Sequence, residues 1–282
     1  MEDVIKILPE QVASIIPEST LKSAIELRLR VGQKLRIRCM DKEYTLDYDI
    51  TKDNLQDVLK RVSTNSIYTI QNSINSGYVT APGGNRIGIT GEVVEENGVI
   101  RNIKNISSMN IRVAHEVLDC SACVIDKIYN AGDVLNTLII SPPGKGKTTM
   151  LRDVIRKLSN AGKNVGVVDE RYEIANVYQG IPAMNLGERT DVMSGISKAD
   201  GINFMVRSMG LDVIATDEIG GASDLQAVNV ACLCGVKVIA TAHGSEGVPL
   251  PYDLQEMIDK KVFNLVIYLS DQIGKISKVL RV

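Results

Sequence analysis

The segment Ser141-Pro142-Pro143-Gly144-Lys145-Gly146-Lys147-Thr148-Thr149 constrains this chain more than any other. It follows the apolar run Asn136 to Ile140 and opens a helix-like stretch from Thr148 to Leu158. A strand, a glycine-rich loop and a helix, closed by Gly-Lys-Thr, form a cradle for nucleotide phosphates. Backbone N–H groups of such a loop bind phosphate oxygens, and the helix N-terminus adds partial positive charge. In this pattern Lys147 would reach the β- and γ-phosphates of ATP, and Thr148 would hold Mg²⁺ through its hydroxyl. The first position of the motif is Ser141 where glycine is usual. Serine is small and its hydroxyl can bond the loop backbone, so the loop is expected to close.

Composition sets the frame. The 282 residues, 44% of them hydrophobic, suffice for one large or two medium domains. Trp is absent and only two Phe are present, so the cores must be aliphatic. The net charge of −2 gives no bulk electrostatic pull toward nucleic acid. No apolar run reaches membrane-spanning length, and the acidic start Met1-Glu2-Asp3-Val4 is unlike a signal peptide, so a soluble cytoplasmic protein is expected. The cysteines Cys120 and Cys123, with Cys232 and Cys234, could be imagined as a zinc site. Their place in apolar, helix-like stretches and the tight second spacing favour thiols that pack as small hydrophobes.

The chain changes character near residues 115–135. Before it, Ser19 to Glu26 predicts a short helix. Leu27 to Val31 and Leu35 to Cys39 alternate apolar and basic residues as half-buried strands do. Thr51 to Asn75 predicts an amphipathic helix. Pro82-Gly83-Gly84-Asn85 is a turn between strands 77–80 and 86–94, and 99–103 and 110–114 predict further strands. Beyond Asp126, short continuous apolar runs at 136–140, 164–168, 212–216, 237–242 and 262–269 predict parallel strands covered on both faces. The polar stretch 185–199 reads as loop around a short helix. The expected domains are 1–120, α+β, and 121–282, α/β.

The strand 212–216 ends in Asp217-Glu218. Beside a phosphate loop, Asp217 would orient Mg²⁺ and Glu218 would take a proton from the water attacking the γ-phosphate. The earlier strand 164–168 ends in Asp169-Glu170-Arg171-Tyr172-Glu173, whose carboxylates, Glu170 and Glu173 among them, can support the Mg²⁺ shell. A salt-bridged helix start is the alternative. His243 lies at the tip of the strand 237–242 and can sense the γ-phosphate, or be merely hydrogen-bonded. Phosphoryl transfer needs positive charge beyond one lysine. Arg207 and Arg112 are the first candidates and Arg189 and Arg86 the next, any of which could act from a neighbouring subunit.

Together the phosphate loop, the acidic box at 169–174, Asp217-Glu218 and Ala240-Thr241-Ala242-His243-Gly244 resemble the hexameric ATPases of type II and type IV secretion and of pilus retraction. The chain is more closely similar to the stage III sporulation AA family, over nearly its whole length. That likeness includes residues 26–32, Ser66-Ile67-Tyr68, 77–88, 106–112, 167–171 and 189–192. Met209-Gly210-Leu211 departs from it, where a Ser-Pro-type turn is usual. The resemblance implies a RecA-like additional-strand P-loop ATPase core after a smaller α+β domain. It also implies a homohexamer with ATP between the domains. The protein would be a mother-cell one at the cytoplasmic face of the membrane, powering a channel toward the forespore with other stage III proteins. The competing reading is a nucleic-acid-dependent ATPase, helicase-like or R-loop-binding, supported by the basic strand faces Arg28-Arg30 and Arg36-Arg38. It lacks interleaved aromatics for base stacking. A third reading, a nucleotide-gated scaffold without turnover, is opposed by the intact Lys147, Thr148, Asp217 and Glu218.

Overall fold

The computed structural model describes residues 2–63, 78–96, 99–130 and 132–282. They form two compact units. One comprises Met1–His115 with Tyr178–Ala183, and the other Glu116–Val177 with Met184–Val282.

The first unit starts with α1 (Glu2–Ile7), α2 (Glu10–Ala13) and α3 (Glu18–Ser23). It continues with β1 (Ala24–Arg30), β2 (Lys34–Cys39), β3 (Glu43–Asp49), α4 (Lys52–Ser63), β4 (Tyr78–Ala81), β5 (Asn85–Glu96) and β6 (Val99–Arg112). The strands form one antiparallel sheet in the order β3-β2-β1-β6-β5-β4. Alternation sorts its faces. Leu27, Leu29, Leu35, Ile37, Ile87, Met109 and Ile111 are buried with Val4, Ile7, Leu55 and Val58 of α1 and α4. On the opposite face Arg28 lies across from Arg36, and Arg38 from Glu26.

Three expectations change here. The helix expected at 19–26 stops at Ser23, because residues 24–26 join β1 against β2 and β6. The strands expected at 99–103 and 110–114 are one strand, β6, whose polar middle is accommodated by register shifts opposite Thr90/Glu92 and Val94/Glu95. The helix expected over 51–75 is described as far as Ser63. Its remainder, with Ser66-Ile67-Tyr68 and Gly77, lies outside the described residues.

The second unit contains α5 (Ile125–Ile128), the short pair β7 (Tyr129–Asn130) and β8 (Asp133–Val134), β9 (Thr137–Ser141), α6 (Lys147–Asn160) and β10 (Val165–Asp169). Then follow β11 (Thr190–Ser194), α7 (Lys198–Ser208), β12 (Val213–Thr216), α8 (Ala222–Leu233), β13 (Lys237–His243), α9 (Tyr252–Asp259), β14 (Leu265–Leu269) and β15 (Ile276–Arg281). The sheet order is β11-β10-β12-β13-β9-β14-β15, parallel throughout except for β15. The central strands β9, β10 and β12 are buried at every residue, as a sheet covered on both faces requires. The stretch read as loop, 185–199, contains edge strand β11 and the start of α7. Pairing with β10 satisfies its backbone while its polar side chains stay partly exposed.

Cys120 and Cys123 lie in turns rather than in a helix, because Asp153 of α6 accepts the N–H groups of Asp119 and Ser121 and the Ser121 hydroxyl. Among the described residues no helix is long and apolar enough to cross a membrane.

Candidate active site

Parallel strands bring their C-terminal ends to one edge, and β13 lies between β9 and β12. That edge therefore collects the phosphate loop after β9, Asp169 at the end of β10, Asp217-Glu218 after β12 and His243 at the end of β13. His243 is the register partner of Ser141.

The loop turns through Gly144 at φ 73° and Gly146 at φ 92°, left-handed conformations that glycine adopts without strain. Gly146 caps α6. Ser141 donates its hydroxyl hydrogen to the neighbouring Pro142 O at 2.9 Å, at the start of the loop. Lys147 is 5% exposed. Its ammonium donates to Ser141 O at 2.9 Å, to Pro142 O at 3.1 Å and to His243 Nδ1 at 3.2 Å. Burial pushes its pKa down, with Glu218 opposing. An ammonium only donates, so His243 Nδ1 accepts and its Nε2–H donates to Glu218 Oε1 at 2.9 Å.

Glu218 is held from three directions. Its backbone, at φ 44°, is outside the regions a non-glycine residue prefers, and its N–H donates to Thr241 Oγ1 at 2.8 Å. Its Oε2 accepts from Arg171 Nη1 at 2.9 Å. Asp217 differs sharply. It is 1% exposed, and neither carboxylate oxygen has a hydrogen-bond partner among the described residues. Burial pushes its pKa up to about 6. The carboxylates of Asp169, Glu173 and Glu218 push the same way, and Lys198 opposes them. A buried, unpartnered carboxylate beside a phosphate loop is the donor a divalent cation takes, and Thr148 stands one residue into α6. The residues present thus fit Mg²⁺ with a nucleotide.

The acidic box is organised by Asp169. Its buried carboxylate accepts the N–H groups of Glu173, Ile174 and Ala175 at 2.7, 3.1 and 2.8 Å. Glu170 pairs with Lys198, itself 5% exposed at the first position of α7. Sequence reasoning missed Lys198. A lysine in a helix's first turn opposes the macrodipole, and that misfit was the available signal.

Of the candidate arginines, the two on the second unit, Arg207 and Arg189, are not gathered at this edge. Gly201 of α7 packs beside Val168, and Met205 and Leu211 pack beside Gly166, so α7 runs back along β10. Exposed Arg207, in its last turn, therefore lies at the opposite edge of the sheet, about 14 Å along the helix from Lys198. Arg189 precedes β11 at that same far edge. Arg112 is exposed on β6 of the first unit, and Arg86 stacks on Tyr78 there at 4.7 Å.

The sheet order, the loop and the carboxylates at one edge define a RecA-like additional-strand P-loop ATPase fold. Solved structures share it. The pilus retraction motor PilT with bound ADP is 15% identical with a TM-score of 0.62, covering 94% of this chain and 81% of that one. The Legionella pneumophila ATPase DotB is 17% identical with a TM-score of 0.56, covering 89% and 73%. The sequence narrows the class. The profile of the family "Sporulation stage III, protein AA" matches residues 1–281. Stage III sporulation protein AA of Bacillus subtilis (strain 168) is 37% identical over 281 residues, 96% of this chain and 91% of that protein. The chain belongs to the sporulation stage III protein AA family.

Proposed function

We propose that this protein is a Mg²⁺-dependent ATP hydrolase that works as a ring-forming, secretion-type motor in sporulation. The observation that carries the reading is Asp217, a buried carboxylate beside the phosphate loop and Glu218 with both oxygens unpartnered among the described residues. Residues 141–149 would wrap the phosphates, with Lys147 leaving its loop carbonyls for the β- and γ-oxygens. Thr148 and Asp217 would hold Mg²⁺, which when bound neutralises charge on the transferring phosphoryl group. Glu218, oriented by Thr241, would accept the proton of the attacking water, and His243 would report the state of that centre to Lys147. Glu170 and Glu173 would support the cation's surroundings. Arg207 and Arg112 are proposed as charges supplied by a neighbouring subunit, since phosphoryl transfer needs cations beyond Lys147. Family membership supports a mother-cell role at the cytoplasmic face of the membrane, a homohexamer, and partnership with other stage III proteins in a channel toward the forespore.

The test is phosphate release from Mg-ATP across protein concentrations, with Lys147→Ala as the blank. Turnover that rises with protein concentration supports the motor, and turnover equal to the blank refutes the hydrolase.

A nucleic-acid-dependent ATPase is the second reading. It is favoured by the sheet face of the first unit, where Arg28, Arg30, Arg36 and Arg38 line one hollow with Glu26 and Glu43. Strong stimulation of turnover by single-stranded DNA or RNA would select it.

A further inference from the structure

The phosphate loop has a neighbour that the site described above does not use. Residues 270–275 join β14 to β15. Because β14 is parallel to β9, this hairpin stands at the same sheet edge as the loop. Lys145 fastens the two together. Its Nζ donates to Asp271 O at 2.6 Å, and its carbonyl accepts the Gly274 N–H at 3.0 Å. The hairpin is closed by Ser270 N–H to Lys275 O at 2.7 Å and by Lys275 N–H to Gln272 O at 3.1 Å. At its tip Ile273 is 76% exposed. A Cβ built on Gly146 would lie 3.8 Å from Ile273 Cγ2. A well-anchored turn thus holds a large apolar side chain in water beside the cap of α6.

The sheet order supplies the direction. Glu218 and His243, which mark the γ-phosphate end, lie on the β13 and β12 side of β9. β14 is the neighbour of β9 on the other side. A triphosphate laid along the loop with its γ-end at Glu218 points its nucleoside toward β14 and its hairpin.

We propose that residues 270–275 form a nucleobase subsite, in which Ile273 covers the face of the base. The inference rests on the ATP reading above and deepens it. The contact is apolar and needs only a π-face, so it tolerates any base. It contributes affinity for nucleosides and none for phosphates alone.

The chain has no Trp, which allows a direct test. In Ile273→Trp the introduced indole is the sole tryptophan. Its emission should change saturably with Mg-ATP and with Mg-GTP, and stay constant with Mg-tripolyphosphate. In Ile273→Asp, calorimetric affinity for ATP should fall about fivefold while that for tripolyphosphate is kept. The subsite is overturned if the indole ignores ATP that calorimetry shows to be bound, if tripolyphosphate moves it equally, or if Ile273→Asp weakens both ligands alike. Wild-type protein that binds neither ATP nor tripolyphosphate would instead overturn the ATP reading itself.

Discussion

Lys147 and His243 meet at 3.2 Å, Nζ to Nδ1, across the gap between the phosphate loop and the tip of β13. The contact completes a chain, because the other imidazole nitrogen donates to Glu218. The lysine that would bind phosphate and the glutamate that would activate water thus share one ring. All of the hydrogen bonds drawn from Lys147 here go to protein acceptors, so an arriving phosphate has to displace them.

His243→Ala cuts that chain while leaving the loop. Turnover of Mg-ATP should fall on the order of tenfold or more, with ATP affinity little changed. Steady-state kinetics beside calorimetric titration separates the two quantities. Unaltered turnover would show that the ring does not serve Glu218.

Glu218→Gln keeps the shape of the side chain and removes its basicity. ATP should still bind, and hydrolysis should drop by about 10²- to 10³-fold. Single-turnover phosphate release reads this directly, and normal turnover would take the role of base from Glu218.

Asp217 should make the nucleotide-free protein less stable as pH rises. Its carboxyl titrates near 6 in the fold, against 3.8 ordinarily. Between those values the folded state keeps a proton that the unfolded chain has lost, so stability declines across this window. At about 1.4 kcal/mol per pH unit the penalty at pH 8 is about 3 kcal/mol. Asp217→Asn should therefore raise the pH 8 melting temperature without ligand, and abolish the extra stabilisation by Mg²⁺ with nucleotide. Thermal scans at pH 5 and pH 8 check both. A variant that melts lower at pH 8 would contradict this account of the orphaned carboxylate.

Asp153 should behave in the opposite way. Burial works against its charge, but the Ser121 hydroxyl and amide, Arg156 and the Asp119 amide outweigh it and hold the pKa below the usual value. Its stabilisation is present above the unfolded pKa and is lost as pH falls through the folded one. Asp153→Ala should cost about 2–4 kcal/mol in urea unfolding at pH 7, because it strands the partners it satisfies. The loss should shrink as pH falls below about 4 and on through the lower pKa of the folded carboxyl, where the wild-type group at last takes up its proton.

Legibility followed burial. The strands β9, β10, β12, β13 and β14 could be read because a sheet covered on both faces writes itself as continuous apolar runs. β3 and β15 escaped notice because their exposed faces interleave charges, as in Glu43–Asp49 and Ile276–Arg281. Edge strand β11 is polar and resembled a loop. In the candidate site, the meeting of Lys147, Asp217, Glu218 and His243 at one sheet edge could be read because each ends a strand or loop with a recognisable pattern. The hold of Asp169 on backbone amides and the pairing of Lys198 with Glu170 were not legible, since only the tertiary fold brings those groups near. Arg207 looked promising because of its position just before β12. The same order places it at the N-terminal end of a parallel strand, the edge away from the phosphate loop, so within one subunit it stays far from Asp217 and Glu218.

The place of β13 between β9 and β12 gives its length a meaning that most of the chain lacks. Ala240 pairs at once with Thr216 on one side and Leu138 on the other. Losing one residue before Ala242 would draw His243 back by about 3.3 Å and turn it to the opposite face of the sheet. The strand therefore acts as a reading frame for the centre. Insertions in the loop at 244–250 leave it in phase, whereas a single deletion inside 237–243 garbles it.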